Sequence, residues 1–300
     1  MIDGAVLLDK PIGLSSNAAL QRVKRLLGAG KAGHAGTLDP LASGLLPLLF
    51  GEATKLAGFL LDADKEYAAT VKLGESTATG DAEGEILERN DVKVSGEQVR
   101  DALERFRGVI EQVPPMYSAL KRDGVPLYRL ARRGESVERV PRRVVISELE
   151  PLMFEYPLLE LRVRCSKGTY IRTLAEDIGA ALGTRAHLAA LRRTGAGRFS
   201  VAETVTLDAL ERMSEAERRE RLITLAGLLV ELPRTELAAD AEARFRNGQP
   251  LRLEGLPEGL RGIYGARGEV IGLGHADGTG GLRPLRLTAS QAAEKHRKNL

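Results

Sequence analysis

The 300-residue sequence has a single cysteine, only four histidines and no tryptophan, and it has no long apolar run. Cys165 alone excludes an internal disulfide, and the histidines are too scattered to complete a recognisable zinc pattern. The longest apolar stretch, 222–232, is far too short to cross a bilayer. No basic stretch followed by an apolar one opens the chain, so we expect no secretory signal. These absences predict a cytoplasmic protein that binds no metal and no membrane.

Hydrophobic residues make up 43% of the chain, which predicts a packed core with room for one large and one small domain. The formal net charge is only +3, but the basic residues are clustered. Residues 121–143 include eight basic and three acidic residues, and residues 185–198 include four arginines and no acid. Such clusters suit a nucleic-acid backbone, because lysine and arginine displace its counterions, although a solvated charged surface would have the same composition.

Residues 33–44, with the sequence GHAGTLDPLASG, are the most informative segment. Its glycines permit backbone conformations that other residues resist, and Pro40 keeps Asp39 out of the α region. The segment therefore predicts a shaped loop that presents one carboxylate. An Asp-Pro pair on its own is also typical of an ordinary turn. A P-loop is excluded, because Arg25 stands where the first glycine of that motif is required.

Together with four other segments, this loop resembles the TruB family of tRNA pseudouridine synthases. The other segments are DKPIGLSS (9–16), DKEY (64–67), KGTYIRT (167–173) and HLAALRRT (187–194). They follow the family's order and approximate spacing, and the likeness is strong from residue 2 to about residue 200. The resemblance implies an isomerase that converts uridine 55 in the T-loop of tRNA to pseudouridine by base flipping, without a cofactor.

The resemblance implies that Asp39 is the essential carboxylate and that Arg172 is its counter-ion. A guanidinium holds a carboxylate with two hydrogen bonds, and it lowers the pKa that burial would raise. Tyr67 is expected to stack on the flipped uracil, although a half-buried strand aromatic would also fit its pattern. Attack of Asp39 on C6, attack on C1′ and a glycal route all need the same carboxylate, so the residue types leave the three routes open.

Further substrate contacts are implied for Tyr170 and Leu191, as apolar walls of the uracil pocket. Ordinary core packing describes both residues equally well. His34 resembles the residue that fills the gap left by the extruded base, and a simple turn residue is the alternative. Lys10 has either a structural role near the loop or a contact with a phosphate.

Periodicity predicts an α+β fold with a mixed, mostly antiparallel sheet flanked by helices, which the resemblance identifies as the pseudouridine synthase fold. Residues 1–232 are expected to form the catalytic domain, and 233–300 a small β-rich, PUA-like RNA-binding domain with a frayed tail. Strands are predicted at 4–9, 67–73, 144–154, 158–166 and four short stretches beyond 250. Helices are predicted after Ser15 or Ser16, at 52–61, at 95–106, at 127–133 and at 169–182.

Three functions are compatible with these features. The first is a stand-alone, monomeric synthase that binds the T stem-loop of tRNA and requires no protein partner. The second is an RNA-binding module or folding helper that performs no chemistry. The third is the related guide-RNA-dependent synthase, which works within a multiprotein particle.

Overall fold

The computed structural model describes residues 2–90 and 92–289, and two β-sheets organise this part of the chain. The strands are β1 (Gly4–Lys10), β2 (Ala32–His34), β3 (Ala42–Phe50), β4 (Lys65–Leu73), β5 (Glu75–Thr77), β6 (Ile86–Arg89), β7 (Gly108–Gln112), β8 (Lys121–Arg122), β9 (Val125–Pro126), β10 (Arg142–Glu155), β11 (Leu158–Cys165), β12 (Ala186–Ala196), β13 (Phe199–Ser200), β14 (Val205–Thr206), β15 (Arg234–Glu236), β16 (Leu251–Arg252), β17 (Gly259–Tyr264), β18 (Val270–Ala276) and β19 (Gly281–Leu287). The helices are α1 (Ser16–Leu26), α2 (Ala57–Asp62), α3 (Gly96–Glu104), α4 (Leu127–Ala131), α5 (Ile171–Ala181), α6 (Leu207–Arg212), α7 (Glu215–Glu220), α8 (Leu225–Leu228) and α9 (Ala239–Arg246), with 3₁₀ turns at Gly51–Leu56 and Val201–Glu203.

Among the described residues, the larger sheet has the strand order β14-β1-β3-β12-β4-β11-β10-β7, with β2 beside β3 and β13 beside β12. Most neighbouring strands are antiparallel, whereas β14 with β1 and β3 with β12 are parallel. The mixed, mostly antiparallel sheet with flanking helices confirms the predicted fold class. The parallel pair of β3 and β12 matters most for function, because it places the end of the Asp39 loop beside the 187–194 segment.

Local sequence explains several of these elements. In β4 the side chains alternate between buried and half-buried positions, as a period of two requires for a strand with one face in the core. Ser15 caps α1 by accepting a hydrogen bond from the amide of Ala18. Ser95 and Gln98 form the predicted capping box at the start of α3. The 113–120 segment with its two prolines forms no helix or strand, as predicted.

The central strands were harder to predict. No strand was predicted for β3 or β12, which run through the middle of the larger sheet. Their burial depends on helices and strands packed on both faces, so β3 is almost entirely buried and shows no alternation. Strand β12 carries the polar run of Arg192, Arg193 and Thr194, which on its own does not indicate a central strand.

The smaller sheet, with the order β15-β17-β18-β19-β16, lies in the C-terminal part and is consistent with a PUA-like module. It contains the four predicted short strands together with β15, and the helix α9 lies between β15 and β16 in the chain; β15 and α9 were not predicted. Leu273 of this sheet packs with Leu228 and Leu229 in an apolar cluster that also includes residues of β1 and β3. The domain boundary at 232–233 stays a prediction. The predicted frayed tail lies almost wholly outside the described residues.

Within the described residues, no helix is long and apolar enough to cross a membrane. The same part of the chain contains no cluster of three or more His, Cys, Asp or Glu side chains arranged to hold a metal ion.

Candidate active site

A cavity of about 260 Å³ opens between the Asp39 loop, the start of β4 and the N-terminal end of α5. Five of the predicted site residues meet around it: Asp39, Tyr67, Tyr170, Arg172 and Leu191. The remaining lining residues are Gly36, Thr37, Leu38, Leu61, Lys65, Ser118, Ala119, Ser166, Lys167, Gly168, Thr169, Ile171 and Arg193. Four of the five sequence segments that resemble one family therefore meet at one cavity, although they are up to about 150 residues apart in the chain.

The Asp39 loop is fastened to the start of α1. The hydroxyl of Ser16 donates to the carbonyl oxygen of Leu38 at 2.9 Å and accepts a hydrogen bond from the amide of the same residue at 2.7 Å. The amide of Gly13 donates to the carbonyl oxygen of Pro40 at 2.8 Å. These bonds hold the main chain on both sides of Asp39, so its carboxylate is presented from a rigid loop.

Arg172 is the ion-pair partner of Asp39, as the resemblance implies. Its Nη2 atom lies 3.1 Å from Oδ2 of Asp39, and its Nε atom lies 3.6 Å from Oδ2 of Asp81. The same guanidinium donates to the carbonyl oxygens of Thr79 at 2.9 Å and Tyr117 at 2.6 Å. With only 6% of its side chain exposed, Arg172 is a fixed cation, whereas the Asp39 side chain is 43% exposed toward the cavity.

The surroundings of Asp39 act on its charge in opposite directions. Burial of the carboxyl group raises its pKa above the ordinary value, the positive charge of Arg172 lowers it, and the negative charge of Asp81 raises it again. The resulting pKa is raised. The site therefore holds a carboxyl group that is partly buried, paired to one cation and open on the side that faces the cavity.

Tyr67 and Arg193 face each other across the β4–β12 pair, where they are directly opposite in register. Burial raises the pKa of Tyr67, and a hydrogen bond and the positive charge of Arg193 oppose that rise. Arg193 is only 1% exposed. It donates to the carbonyl oxygen of Leu45 at 2.7 Å and to that of Gly36 at 3.1 Å. One buried guanidinium thus links β3, the Asp39 loop and the tyrosine.

Lys10 and His34 do not line the cavity. Lys10 is fully buried and donates to the carbonyl oxygens of Pro11 at 2.9 Å and Leu14 at 2.6 Å. Burial lowers its pKa to about 8, against the opposing effect of the Asp39 charge. This position favours the structural interpretation and leaves the amine no exposed surface for a phosphate. His34 ends β2 with its Nδ1 atom buried and unpaired, and burial lowers its pKa.

Tyr170 and Leu191 both line the cavity. Tyr170 immediately precedes α5, and its side chain makes no capping hydrogen bond to the helix. Its amide donates to Oε1 of Gln112 at 3.1 Å. Burial raises the pKa of the Tyr170 phenol. Both residues are half-buried, so each has surface available to a ligand. Their placement beside Asp39 is compatible with the expected uracil pocket, and their contact with substrate stays a prediction.

Several site residues were missed by the analysis of the sequence. Asp81 lies in the turn-rich 74–91 segment, where nothing local distinguishes it from the other acids. Arg193 and Lys167 belong to two of the segments that resemble the family. No local sequence pattern shows that these two residues line a cavity and do not lie on the outer surface. Lys65 is buried beneath the cavity, where it donates to the main-chain carbonyl oxygens at the end of α2.

Comparisons with known proteins agree along the whole described chain. Residues 24–171 match the model of the TruB family pseudouridylate synthase N-terminal domain. Residues 172–237 match the tRNA pseudouridylate synthase B C-terminal domain, and 233–288 match the C-terminal model of pseudouridine synthase II TruB. The chain is 56% identical over 296 residues to tRNA pseudouridine synthase B of Ralstonia nicotianae, covering 95% of this chain and 94% of that protein. It is 52% identical over 294 residues to the protein of the same name from an Azoarcus species, covering 98% and 97%.

Solved structures show the same architecture. A chain in an H/ACA RNP bound to a substrate RNA containing 2′-deoxyuridine superposes with a TM-score of 0.73 at 25% identity, covering 96% of this chain and 86% of that one. A chain of the archaeal box H/ACA sRNP Nop10-Cbf5 complex superposes with a TM-score of 0.69 at 29% identity, covering 92% and 79%.

Proposed function

Since this chain belongs to the TruB family and is a tRNA pseudouridine synthase, we propose that it isomerises uridine 55 in the T-loop of tRNA, with Asp39 as the essential carboxylate. The observation that carries the proposal is the Asp39–Arg172 pair at 3.1 Å, which lies in the wall of a cavity beside Tyr67. The isomerisation of uridine requires a carboxylate that is held in place and accessible from the cavity.

The reaction breaks the N1–C1′ bond of uridine and forms a bond from C5 to C1′. The proton on C5 is lost and N1 gains one, so the product is an isomer of the substrate. No electron or external group is transferred, which is why we propose that the enzyme uses no cofactor. Burial raises the pKa of Asp39, and the positive charge of Arg172 opposes that rise and so favours the ionised form. Attack on C6, attack on C1′ and the glycal route all remain compatible with this carboxylate.

We propose that the target uridine leaves its stack and enters the cavity, because an enzyme that acts on a base must expose it. Tyr67 would stack on the uracil, and Tyr170 and Leu191 would enclose it. His34 would occupy the gap left in the RNA. A loop suits such a step, since its bases are extruded at less cost than those of a helix. Lys10 would not touch the substrate. It would act on Asp39 through its charge, and it would hold the neighbouring main chain through its hydrogen bonds.

We further propose that residues 1–232 form the catalytic domain and that 233–300 form a PUA-like RNA-binding domain. The proposed substrate element is the T stem-loop, and the proposed state is a cytoplasmic monomer that needs no protein partner. The two solved structures described above come from H/ACA assemblies, which keeps the guide-RNA-dependent reaction as an alternative. The relatives that are more than 50% identical are named tRNA pseudouridine synthases, which favours bare tRNA.

The test is to incubate the purified chain with a T-arm transcript in the presence of EDTA and to map pseudouridine after carbodiimide derivatisation, since the isomer has the same mass as uridine. We expect the wild-type protein to modify uridine 55 alone. The variant Asp39→Asn should keep its melting temperature and RNA affinity but fall to background turnover. Asp208→Asn, which removes an exposed carboxylate in α6, is the matched control and should stay fully active.

The outcomes separate the three functions. Full activity of Asp39→Asn would overturn the assignment of the essential carboxylate. Wild-type protein that binds the transcript but leaves every uridine unmodified would favour the RNA-binding function. Modification that requires an added guide RNA would favour the H/ACA-like reaction.

A further inference from the structure

An exposed ion pair spans the mouth of the cavity. The Nζ atom of Lys167 lies 2.8 Å from Oδ1 of Asp62, and the two side chains are 62% and 64% exposed. Lys167 lines the cavity, and so does Leu61, the residue before Asp62. The pair therefore joins two walls of the cavity, the end of α2 and the loop that leads into α5.

The other basic side chains that line the cavity in the described structure are buried and already hydrogen-bonded to the main chain. Lys65, Arg172 and Arg193 are each less than 10% exposed. All three donate to main-chain carbonyl oxygens. Moving any of them toward a ligand would leave buried acceptors without partners, which is costly. Lys167 is the cavity-lining cation that is free to change partners, because its carboxylate partner is itself solvated.

A nucleotide within an RNA chain carries a phosphodiester on each side. When its base enters the cavity, at least one of these phosphates must come close to the rim. The nearby charge of Asp39 repels that phosphate, so a cation at the rim is needed to offset the repulsion. Lys167 also lies just before α5, an eleven-residue helix that has no capping side chain and no acid in its first turn. The unpaired amides of such a helix end favour an anion.

We propose that Lys167 releases Asp62 and binds the phosphodiester next to the uridine that enters the cavity. The proposal rests on the proposed function, since it requires an RNA substrate. The exchange is favourable because an exposed ion pair contributes little stability, whereas contact with a phosphate releases a condensed counterion. Asp62 then competes with the RNA for Lys167.

The first test uses two neutralising substitutions with opposite expected effects. Lys167→Gln should weaken binding of a T-arm transcript by roughly 3- to 10-fold and reduce the salt dependence of binding by about one phosphate contact. Asp62→Asn should strengthen binding by roughly two- to fivefold, because it frees the lysine. Arg219→Gln is the matched control, since Arg219 forms an equally exposed pair with Glu215 in α7, which does not line the cavity. The control should bind like the wild type.

The second test identifies the phosphate. T-arm RNAs with an uncharged methylphosphonate on the 5′ or the 3′ side of uridine 55 are compared with the natural RNA. With one of the two, wild-type binding should weaken, and Lys167→Gln should then cause no further loss. Melting temperatures of all variants, which alter exposed side chains, should stay close to that of the wild type.

The proposal is wrong if Lys167→Gln and Asp62→Asn shift affinity in the same direction. It is also wrong if the effect of Lys167→Gln is unchanged with both methylphosphonate RNAs. These results are distinguishable from failure of the proposed function, which would show as wild-type protein that forms no pseudouridine. A wild-type protein that is active while its Lys167 variant binds normally would overturn only the phosphate contact.

Discussion

The three glycines of the 33–44 segment have different structural roles, and this difference yields a quantitative prediction. A Cβ atom at Gly33 would meet nothing within 4 Å, and its backbone angle is one that other residues adopt. Gly44 has a φ of +98°, and a Cβ atom there would overlap the carbonyl oxygen of Arg193 and lie 2.9 Å from its amide nitrogen. We therefore expect Gly33→Ala to be tolerated and Gly44→Ala to be damaging.

The magnitude follows from two costs at Gly44. A side chain in that backbone region costs about 1–3 kcal/mol. The overlap involves the main chain of β12, which cannot rotate away, so β3 and β12 must separate and lose one or two hydrogen bonds of about 1 kcal/mol each. The sum is about 2–5 kcal/mol, a large part of the roughly 5–15 kcal/mol that stabilises a typical protein. For a chain of this size we expect the melting temperature to fall by about 10 °C.

Activity should fall further than stability alone explains. The β3–β12 pair connects the Asp39 loop with Leu191 and Arg193, so its separation moves opposite walls of the cavity. A displacement of about 1 Å can reduce turnover roughly 100-fold. Thermal melting by circular dichroism and single-turnover pseudouridine formation, measured well below the melting temperature, are the assays. Gly33→Ala is the control and should melt at or slightly above the wild-type temperature, since alanine restricts the unfolded chain. Gly44→Ala with wild-type melting and turnover would refute the reasoning.

Two further predictions concern titratable groups. Arg172→Gln removes the positive charge that lowers the pKa of Asp39, so the acid limb of the kcat/KM profile should move to higher pH. Asp81→Asn removes a negative charge that raises the same pKa, so the acid limb should move to lower pH. Shifts of the same sign in pH profiles of the two variants would contradict the assignment of Asp39 as the titrating group. Burial raises the pKa of Cys165 to about 11, so the native protein should react very slowly with a thiol reagent at pH 8 and fast once unfolded. Rapid colorimetric labelling of the folded protein would contradict the buried position.

Features that depend on near neighbours could be predicted from the sequence. The alternation in β4, the caps of α1 and α3 and the irregular path at 113–120 all follow from residues within a few positions of one another. The presentation of Asp39 on a loop is of this kind, because Pro40 and the flanking glycines restrict the same short stretch of backbone. Family resemblance then predicted which separate segments meet, and five of its expected residues do line one cavity.

Which charged side chains are buried, and what they bind, depends on contacts between distant parts of the chain. Arg193 donates to Leu45, 148 positions away, and Arg172 donates to Thr79, 93 positions away. Lys10 is enclosed, while Lys167 stays exposed at the rim, although both are lysines in segments of similar composition. Burial of a charge is favourable only when distant parts of the chain supply its acceptors, so no local pattern could have separated these residues. The same reason explains why β12 was missed, since it becomes a central strand only through its pairing with β3 and β4.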